Sequence, residues 1–353
     1  MLTDFLKKHK IKEKRICVGV SGGSDSLALV LLANEELTPL GYKIIAITVN
    51  HGLRSCAQQE ADYVAKIMQK HNIDHHILCW EGAKPATGIE EAARNARYEL
   101  IGKWCKENQV KFLMTAHHLY DQAETFFMRI ERGSGLDGLC GMKEVFKRNG
   151  FTILRPLLNT NPNVMKDYLK DKNIQWVEDE SNFCVDLLRV RIRQFLPEFE
   201  EKTGISVLKI VNTMNTLQKS QNYFDEKVSK ILNSAFQNYQ EKAFWCELTE
   251  FFNLEPELKF RIFKKILKQV GQKDYAPQAD KIFYLIEKIN NPNFKASTLG
   301  DCYISLYDNK LWILPENPYS LKYSVKSWKE YLQDHPKLKK QKLPSRLKKI
   351  IIG

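Results

Sequence analysis

Ile16-Cys-Val-Gly-Val-Ser-Gly-Gly-Ser-Asp-Ser26, running directly into Leu27-Ala-Leu-Val-Leu-Leu32, decides the fold. Residues 16–20 are short, apolar and largely β-branched, the composition of a strand buried on both faces. Residues 27–33 are good helix formers, so residues 21–26 make a strand-to-helix turn. Gly22 and Gly23 let that turn close tightly and let a ligand approach the backbone. The first N–H groups of the helix lack intrahelical acceptors and point at an anion. Ser21, Ser24 and Ser26 add hydroxyl donors. Asp25 puts a carboxylate beside the phosphate site, and a divalent cation such as Mg2+ between the two removes the repulsion. A plain Gly-Gly turn with a Ser/Asp cap accounts for fewer of these residues. No Lys follows and the glycines are adjacent, so neither Gly-x-x-x-x-Gly-Lys-Ser/Thr nor Gly-x-Gly-x-x-Gly is present.

Outward from this turn, strand and helix patterns alternate. Strands are expected at 43–49, 76–80 and 110–116, with helices at 60–70, 89–106 and about 119–132 between and after them. This spacing predicts an α/β, doubly wound parallel sheet with ligands outside the carboxyl ends of its strands. The polar clusters fall at those ends. Asn50-His-Gly-Leu-Arg54 follows the second strand, where His51 or its neighbouring backbone suits a nucleotide base and an ordinary turn suits the residues equally. In the helix beginning at residue 89, Arg94 and Arg97 are three apart and share a face, so either suits a triphosphate clamp, with Arg97 preferred. Glu90 with Arg94 also fits a helix-stabilising pair. Thr115-Ala-His-His-Leu-Tyr-Asp-Gln-Ala-Glu-Thr125 closes a strand and opens a helix, putting Asp121, Glu124 and Thr125 on one face just after His117 and His118. A carboxylate and an imidazole beside such a site hold Mg2+ or take a proton. Acidic residues in a first helical turn also simply complement the helix dipole. Four glycines in residues 132–142 read as a mobile loop over the site.

In order, these blocks resemble a known family. Residues 21–26 look like the pyrophosphate loop of N-type ATP pyrophosphatases, which split ATP into AMP and pyrophosphate. Together with Val49-Asn-His-Gly-Leu-Arg54, Glu90-Glu-Ala-Ala-Arg-x-x-Arg-Tyr98, the 116–125 and 132–142 blocks and Leu154-Arg-Pro-Leu-Leu158, they resemble the tRNA(Ile)-lysidine synthases. The resemblance covers roughly residues 15–200. It implies ATP and Mg2+ as reactants, free L-lysine and tRNA(Ile) with a CAU anticodon as substrates, and lysidine, AMP and pyrophosphate as products. It implies nucleotide contacts from Ser21, Gly22, Gly23, Ser24, Asp25, Ser26, His51 and Arg97, metal ligation by Asp25 and Asp121, and catalysis by Asp25, Arg97, His117, His118 and Asp121. Glu124, Asp179, Asn182, Arg189 and Arg193 are then the residues for lysine or RNA, although the three arginines in residues 189–193 also suit a solvated helix face. Tyr120 stands where many relatives have an acid, which leaves the weight on Asp121.

Composition agrees with an RNA partner. The 353 residues carry a formal net charge of +12, no stretch approaches membrane-spanning length, and residues 1–9 lack a signal-like apolar core. Eight cysteines stand without a Cys-x-x-Cys pair, which speaks against zinc and reads as reduced cytoplasmic thiols. A tRNA thiolase using the same loop generally needs catalytic or cluster-binding cysteines, and is the alternative enzyme; an inactive RNA-binding protein retaining the ATP fold is the alternative outside catalysis. A homodimer is left open. Three regions are expected: residues 1–200 as the nucleotide domain, 201–295 as a helical unit that grips tRNA, and 296–353 as a hairpin turning at Asp308-Asn309 plus a lysine-rich arm.

Overall fold

The computed structural model describes residues 1–53, 57–82, 84–85, 87–148, 150–178, 188–239, 242–273, 275–317 and 344–347. Arg54, Asp179, Asn182 and the lysines at 322–342, 348 and 349 lie outside the described residues. The chain divides into two compact units, Met1–Lys219 and Ser220–Gly353.

The first unit runs α1 (Leu2–Lys8), β1 (Arg15–Gly19), α2 (Ser24–Leu37), β2 (Lys43–Asn50), α3 (Ala57–Lys70), β3 (Asp74–Cys79), α4 (Ile89–Glu107) and β4 (Phe112–Met114). It continues through α5 (Leu119–Glu131), α6 (Leu136–Leu139), β5 (Val145–Arg148), β6 (Phe151–Leu154), α7 (Pro162–Asp171), α8 (Leu188–Thr203) and the first part of α9 (Val207–Ser234). The sheet order is β3-β2-β1-β4-β6-β5, parallel except for the edge strand β5, which pairs antiparallel with β6. This is the doubly wound sheet expected. Ile16, Val18, Leu27, Leu31, Ala46 and Met114 pack one face of the core, and Cys17, Ile45, Ile47, Ile101, Leu113 and Ile153 the other. The central strands therefore bury apolar residues on both faces through their middle positions, because helices cover both faces. Strand order runs outward from β1 to β3 on one side and restarts with β4 on the other. The turns after β1 and β4 thus leave adjacent strands in opposite directions and open the crevice where such sheets bind ligands.

The second unit contains the rest of α9, β7 (Phe236–Tyr239), β8 (Ala243–Glu247), α10 (Leu248–Phe252), α11 (Pro256–Val270), α12 (Ala279–Ile289), β9 (Ala296–Leu299), β10 (Cys302–Tyr307) and β11 (Lys310–Pro315). Its antiparallel sheet has order β7-β8-β11-β10-β9. The hairpin at 308–309 forms as expected, with Asp308 at φ 52° and Asn309 at φ 55°, the left-handed pair that a two-residue turn between twisted strands requires. The region 201–295 is not wholly helical. It supplies β7 and β8 to the sheet, and the boundary between units falls inside α9 at residue 219 rather than at 200. Val207, Val211 and Met214 pack with α5 and α8 in the first unit, while Val228 and Leu232 pack with α11 in the second, so one long amphipathic helix serves two cores.

Candidate active site

The turn after β1 is built as an anion cradle. Gly22 has φ 86°, a conformation only glycine adopts without strain, and Gly23 N-caps α2 with no side chain to occupy the first N–H groups. Ser26 Oγ stiffens the loop, accepting from the Ser21 N–H at 3.1 Å and donating to the Gly23 carbonyl at 3.1 Å. The Val177 N–H donates to the Gly22 carbonyl at 3.0 Å, fixing the loop from outside.

The turn after β4 is organised by a reciprocal cap. Asp121 Oδ2 accepts the His118 N–H at 2.9 Å, and His118 Nδ1 accepts the Asp121 N–H at 3.4 Å. With Nδ1 used as an acceptor, the ring proton belongs on Nε2. That nitrogen lies 3.8 Å from Asp25 Oδ2 and 3.6 Å from Asp121 Oδ2, so His118 stands between the two loops without a direct hydrogen bond to either carboxylate. In this arrangement the Nδ1 lone pair of His118 is engaged in the helix cap. Adjacent His117 lines the cavity, its Nδ1 2.9 Å from Thr115 Oγ1, and burial pushes it down to about 3, so it is neutral at physiological pH.

Between the loops lies a cavity of about 790 Å3, within the roughly 300–1,000 Å3 usual for small-molecule sites. Ser21, Gly23, Asp25, Ser26, His51, Arg94, Arg97, His117 and Asp121 all line it. Gly22 and Ser24 belong to the same turn. Burial, reinforced by the Asp121 charge and only partly offset by His118, raises Asp25. Burial would raise Asp121 as well, but His118 and Arg189 outweigh it and hold Asp121 below the usual carboxylate range. Asp25 Oδ1 is buried without a hydrogen-bond partner. Among the described residues no three His, Cys, Asp or Glu side chains form a metal cage. Asp25, with an unpaired oxygen, fits Mg2+, which binds one or two carboxylates and completes its shell from substrate phosphates and water; Asp121 reaches the same cavity with its oxygens already engaged by Arg189 and the His118 N–H.

Burial pushes His51 down to about 4, with the Arg97 and Lys84 charges adding to it. Its Nε2 is 3.4 Å from Arg97 Nη2 and its ring meets Trp80 edge-on at 5.9 Å, so a rigid, uncharged ring forms one wall. Trp80 and Lys84, which packs 4.0 Å over the Trp80 ring, escaped the sequence reading because they lie past the end of β3 with no motif around them.

Glu124 differs from expectation. It is fully buried; Arg189 Nε reaches Oε2 at 2.5 Å and Arg193 Nε reaches Oε1 at 2.6 Å, while Arg189 Nη2 also holds Asp121 Oδ1 at 2.6 Å. Both Glu124 oxygens are thus occupied, and to bind a lysine ammonium Glu124 would have to surrender an arginine. Arg189 and Arg193 are correspondingly turned inward rather than forming a solvated helix face. Glu90 and Arg94 do not pair; Arg94 instead packs over Tyr98 at 5.7 Å. The glycine-rich segment 132–142 expected over the site forms α6 at residues Leu136–Leu139. Its end is stitched down by Gln122, which donates to the Met142 carbonyl at 2.9 Å and accepts the Met142 N–H at 2.8 Å, with Cys140 buried beside it.

A nucleotide-sized cavity at the switch point, between a glycine-serine anion turn and a second turn bearing carboxylate and histidines, defines a PP-loop protein, and residues 1–199 match the PP-loop domain family model. A tRNA(Ile)-lysidine synthase of Wolbachia pipientis wMel is 32% identical over 306 residues, covering 86% of this chain and 71% of that one. One from Rhodopseudomonas palustris is 32% identical, covering 86% of this chain and 91% of its own length. The chain belongs to the tRNA(Ile)-lysidine synthase family. Among solved structures, a U34-tRNA thiolase of Methanococcus maripaludis has a TM-score of 0.51 at 19% identity, covering 62% of this chain and 80% of that one, a likeness of fold alone.

Proposed function

We propose that the protein ligates free L-lysine to C2 of the wobble cytidine in the CAU anticodon of tRNA(Ile), at the expense of ATP. The cytidine O2 attacks the α-phosphorus, and the bond to the bridging oxygen breaks with pyrophosphate taking the electron pair. The lysine ε-amine, having lost a proton, then adds at C2; AMP leaves with O2 and the nitrogen sheds a second proton. The product, lysidine, changes the codon read from AUG to AUA and the tRNA's identity from Met to Ile.

The observation that carries this reading is the convergence of the 21–26 turn, Asp25 and Asp121 on one cavity in a chain of this family. Charge accumulates on the departing pyrophosphate, where the free N–H groups at the start of α2 and the Arg97 guanidinium stabilise it. Asp25, with the Asp121 charge beside it, would hold Mg2+, which neutralises triphosphate charge. A lysine amine is protonated at neutral pH, so the second step needs an acceptor; Asp121 and His117 line the cavity, and both are unprotonated there. His118 orients Asp121 through its backbone N–H. Asp179 and Asn182 remain proposed substrate contacts by position in the sequence. The reading includes a cytoplasmic setting; no helix among the described residues is long and apolar enough to cross a membrane.

The test is the mass of the anticodon nucleoside after incubation of an unmodified tRNA(Ile) transcript with ATP and lysine. Cytidine plus lysine less water is expected; a sulfur-for-oxygen increment would establish the thiolase alternative, and an unchanged cytidine without pyrophosphate release the inactive one. The thiolase alternative gains little from the cysteines. Cys17, Cys105, Cys140, Cys246 and Cys302 are buried, and no cluster of three metal-ligating residues occurs among the described ones.

A further inference from the structure

Beside the nucleotide cavity, three arginines surround one tyrosine. Tyr98 is 5% exposed, and its ring is covered by Arg148 at 4.4 Å and Arg94 at 5.7 Å. Arg155, from the end of β6, is also 5% exposed and neighbours the Tyr98 hydroxyl. One of its nitrogens donates to the Lys143 carbonyl at 2.8 Å, while its Nε is buried with no hydrogen-bond partner. Arg148 has only a long contact, 3.5 Å, to Asn95 Oδ1. Among the described residues no carboxylate lies within the 4.0 Å ion-pair distance of Arg94, Arg148 or Arg155.

This arrangement is the opposite of the Glu124 cluster a short distance along the chain, where every arginine has a carboxylate. Burying a guanidinium without a counter-charge is unfavourable, and burial does lower the Arg155 pKa from its ordinary value. The cation–π contact of Arg155 with Phe146 at 5.8 Å and its hydrogen bond with Tyr98 return part of that cost but neutralise no charge. The cluster is also directional. Arg94 and Tyr98 line the cavity, whereas Arg148 does not and lies on edge strand β5 beside Phe146, which is 44% exposed. Unbalanced positive charge therefore runs from the cavity wall to the edge of the sheet.

We propose that Arg94 and Arg148, held around Tyr98 and backed by the buried charge of Arg155, form a subsite for a phosphodiester of the RNA strand that delivers the target cytidine into the cavity. The subsite rests on the ligase reading above, since it presupposes an RNA substrate. Its ligand is the RNA backbone rather than a phosphate of ATP. The triphosphate has its own cradle at the start of α2, and Arg148 stands off the cavity lining at the sheet edge. Such a contact positions the strand and reads no base.

The experiment uses the full chain, an unmodified tRNA(Ile) transcript and a salt series, comparing wild type with Arg148→Gln and Arg94→Gln. Arg148→Gln should weaken transcript binding and reduce the slope of log affinity against log salt by about 0.7 to 0.9, the loss of one phosphate contact. The double variant should weaken binding further but lose no more slope than that, because both arginines serve a single phosphate. ATP binding by Arg148→Gln without RNA should match wild type. An unchanged slope with wild-type RNA affinity overturns the subsite, as does a fall in ATP affinity with RNA binding intact, which would assign the arginine to the nucleotide. Failure of the wild-type chain to bind the transcript at all would instead remove the ligase reading and the subsite together. Both test residues are at least partly exposed, so the outcome does not depend on whether an Arg155 variant folds.

Discussion

Replacing Glu124 by alanine separates two accounts of the same residue. Glu124 is fully buried, between Arg189 and Arg193 side chains that remain 37% and 38% exposed. Removing one partner of a buried ion pair costs about 3–5 kcal/mol, because the other charge is left without compensation. Here the arginines keep contact with water, and Arg189 keeps Asp121, so the lower end applies, about 3 kcal/mol. For a unit of this size each kcal/mol moves Tm by about 2–4 °C, giving a drop of about 6–12 °C in the transition of the first unit. Glu124→Gln keeps the volume and one acceptor and should lose less. Calorimetry of the full chain reads the transition, and steady-state kinetics with varied lysine reads KM. If Glu124 instead serves by gripping the lysine ammonium, the alanine variant will melt with wild type while KM for lysine rises steeply. That result would refute the structural assignment.

Asp25→Asn should fold normally, with unchanged Tm within about 1 kcal/mol of stability, yet release no pyrophosphate from ATP in the presence of tRNA; wild-type release by a folded variant overturns the role of Asp25. Gly22→Ala places a side chain at φ 86° and should cost about 1–3 kcal/mol and weaken ATP binding, read by calorimetric titration. His117 refuses a proton in the folded chain down to about pH 3, whereas the unfolded chain accepts one below about 6.5. The unfolded state then binds more protons, so this residue's contribution is fully present above pH 6.5 and is lost as the pH falls towards 3. A His117→Asn variant should therefore show a shallower decline of urea midpoint between about pH 7 and pH 5 than wild type; parallel declines would show that His117 is not neutral in the fold. Leu347→Asp should lower the unfolding temperature of the second unit, and equal temperatures would mean that this residue packs on nothing.

The nucleotide turn was legible because everything that makes it is local: the positive φ of Gly22, the bare cap at Gly23 and the hydroxyl of Ser26 all act within six residues. That the β1 and β4 turns would meet followed from strand order, a rule about topology rather than about any contact. What escaped reading depends on distant partners. The arginines that claim Glu124 are 65 and 69 positions away, and nothing near Glu124 distinguishes a carboxylate awaiting substrate from one already paired. The strand Ala243–Glu247 was missed for another reason. It is buried at four successive positions, so it lacks the alternation that marks a half-exposed strand. Phe244 and Cys246 face α11 and α12, while Trp245, stacked on Trp312 at 4.9 Å, faces the opposite side of the sheet. Burial on that side requires a second cover, and the described residues near the end of the chain point to it. Arg346 packs 4.2 Å over Tyr303, which shares the tryptophan face by alternation along β10, and Leu347 is 1% exposed. At least residues 346–347 of the expected basic arm are therefore part of a core. Truncation at residue 336 would remove that cover as well as the lysines, so a fall in tRNA affinity after truncation could come from a loosened second unit. Substituting only the lysines at 337, 339, 340 and 342 by glutamine leaves Leu347 in place, and a flatter salt dependence in that variant, with unchanged Tm, is the result that assigns RNA contact to the arm.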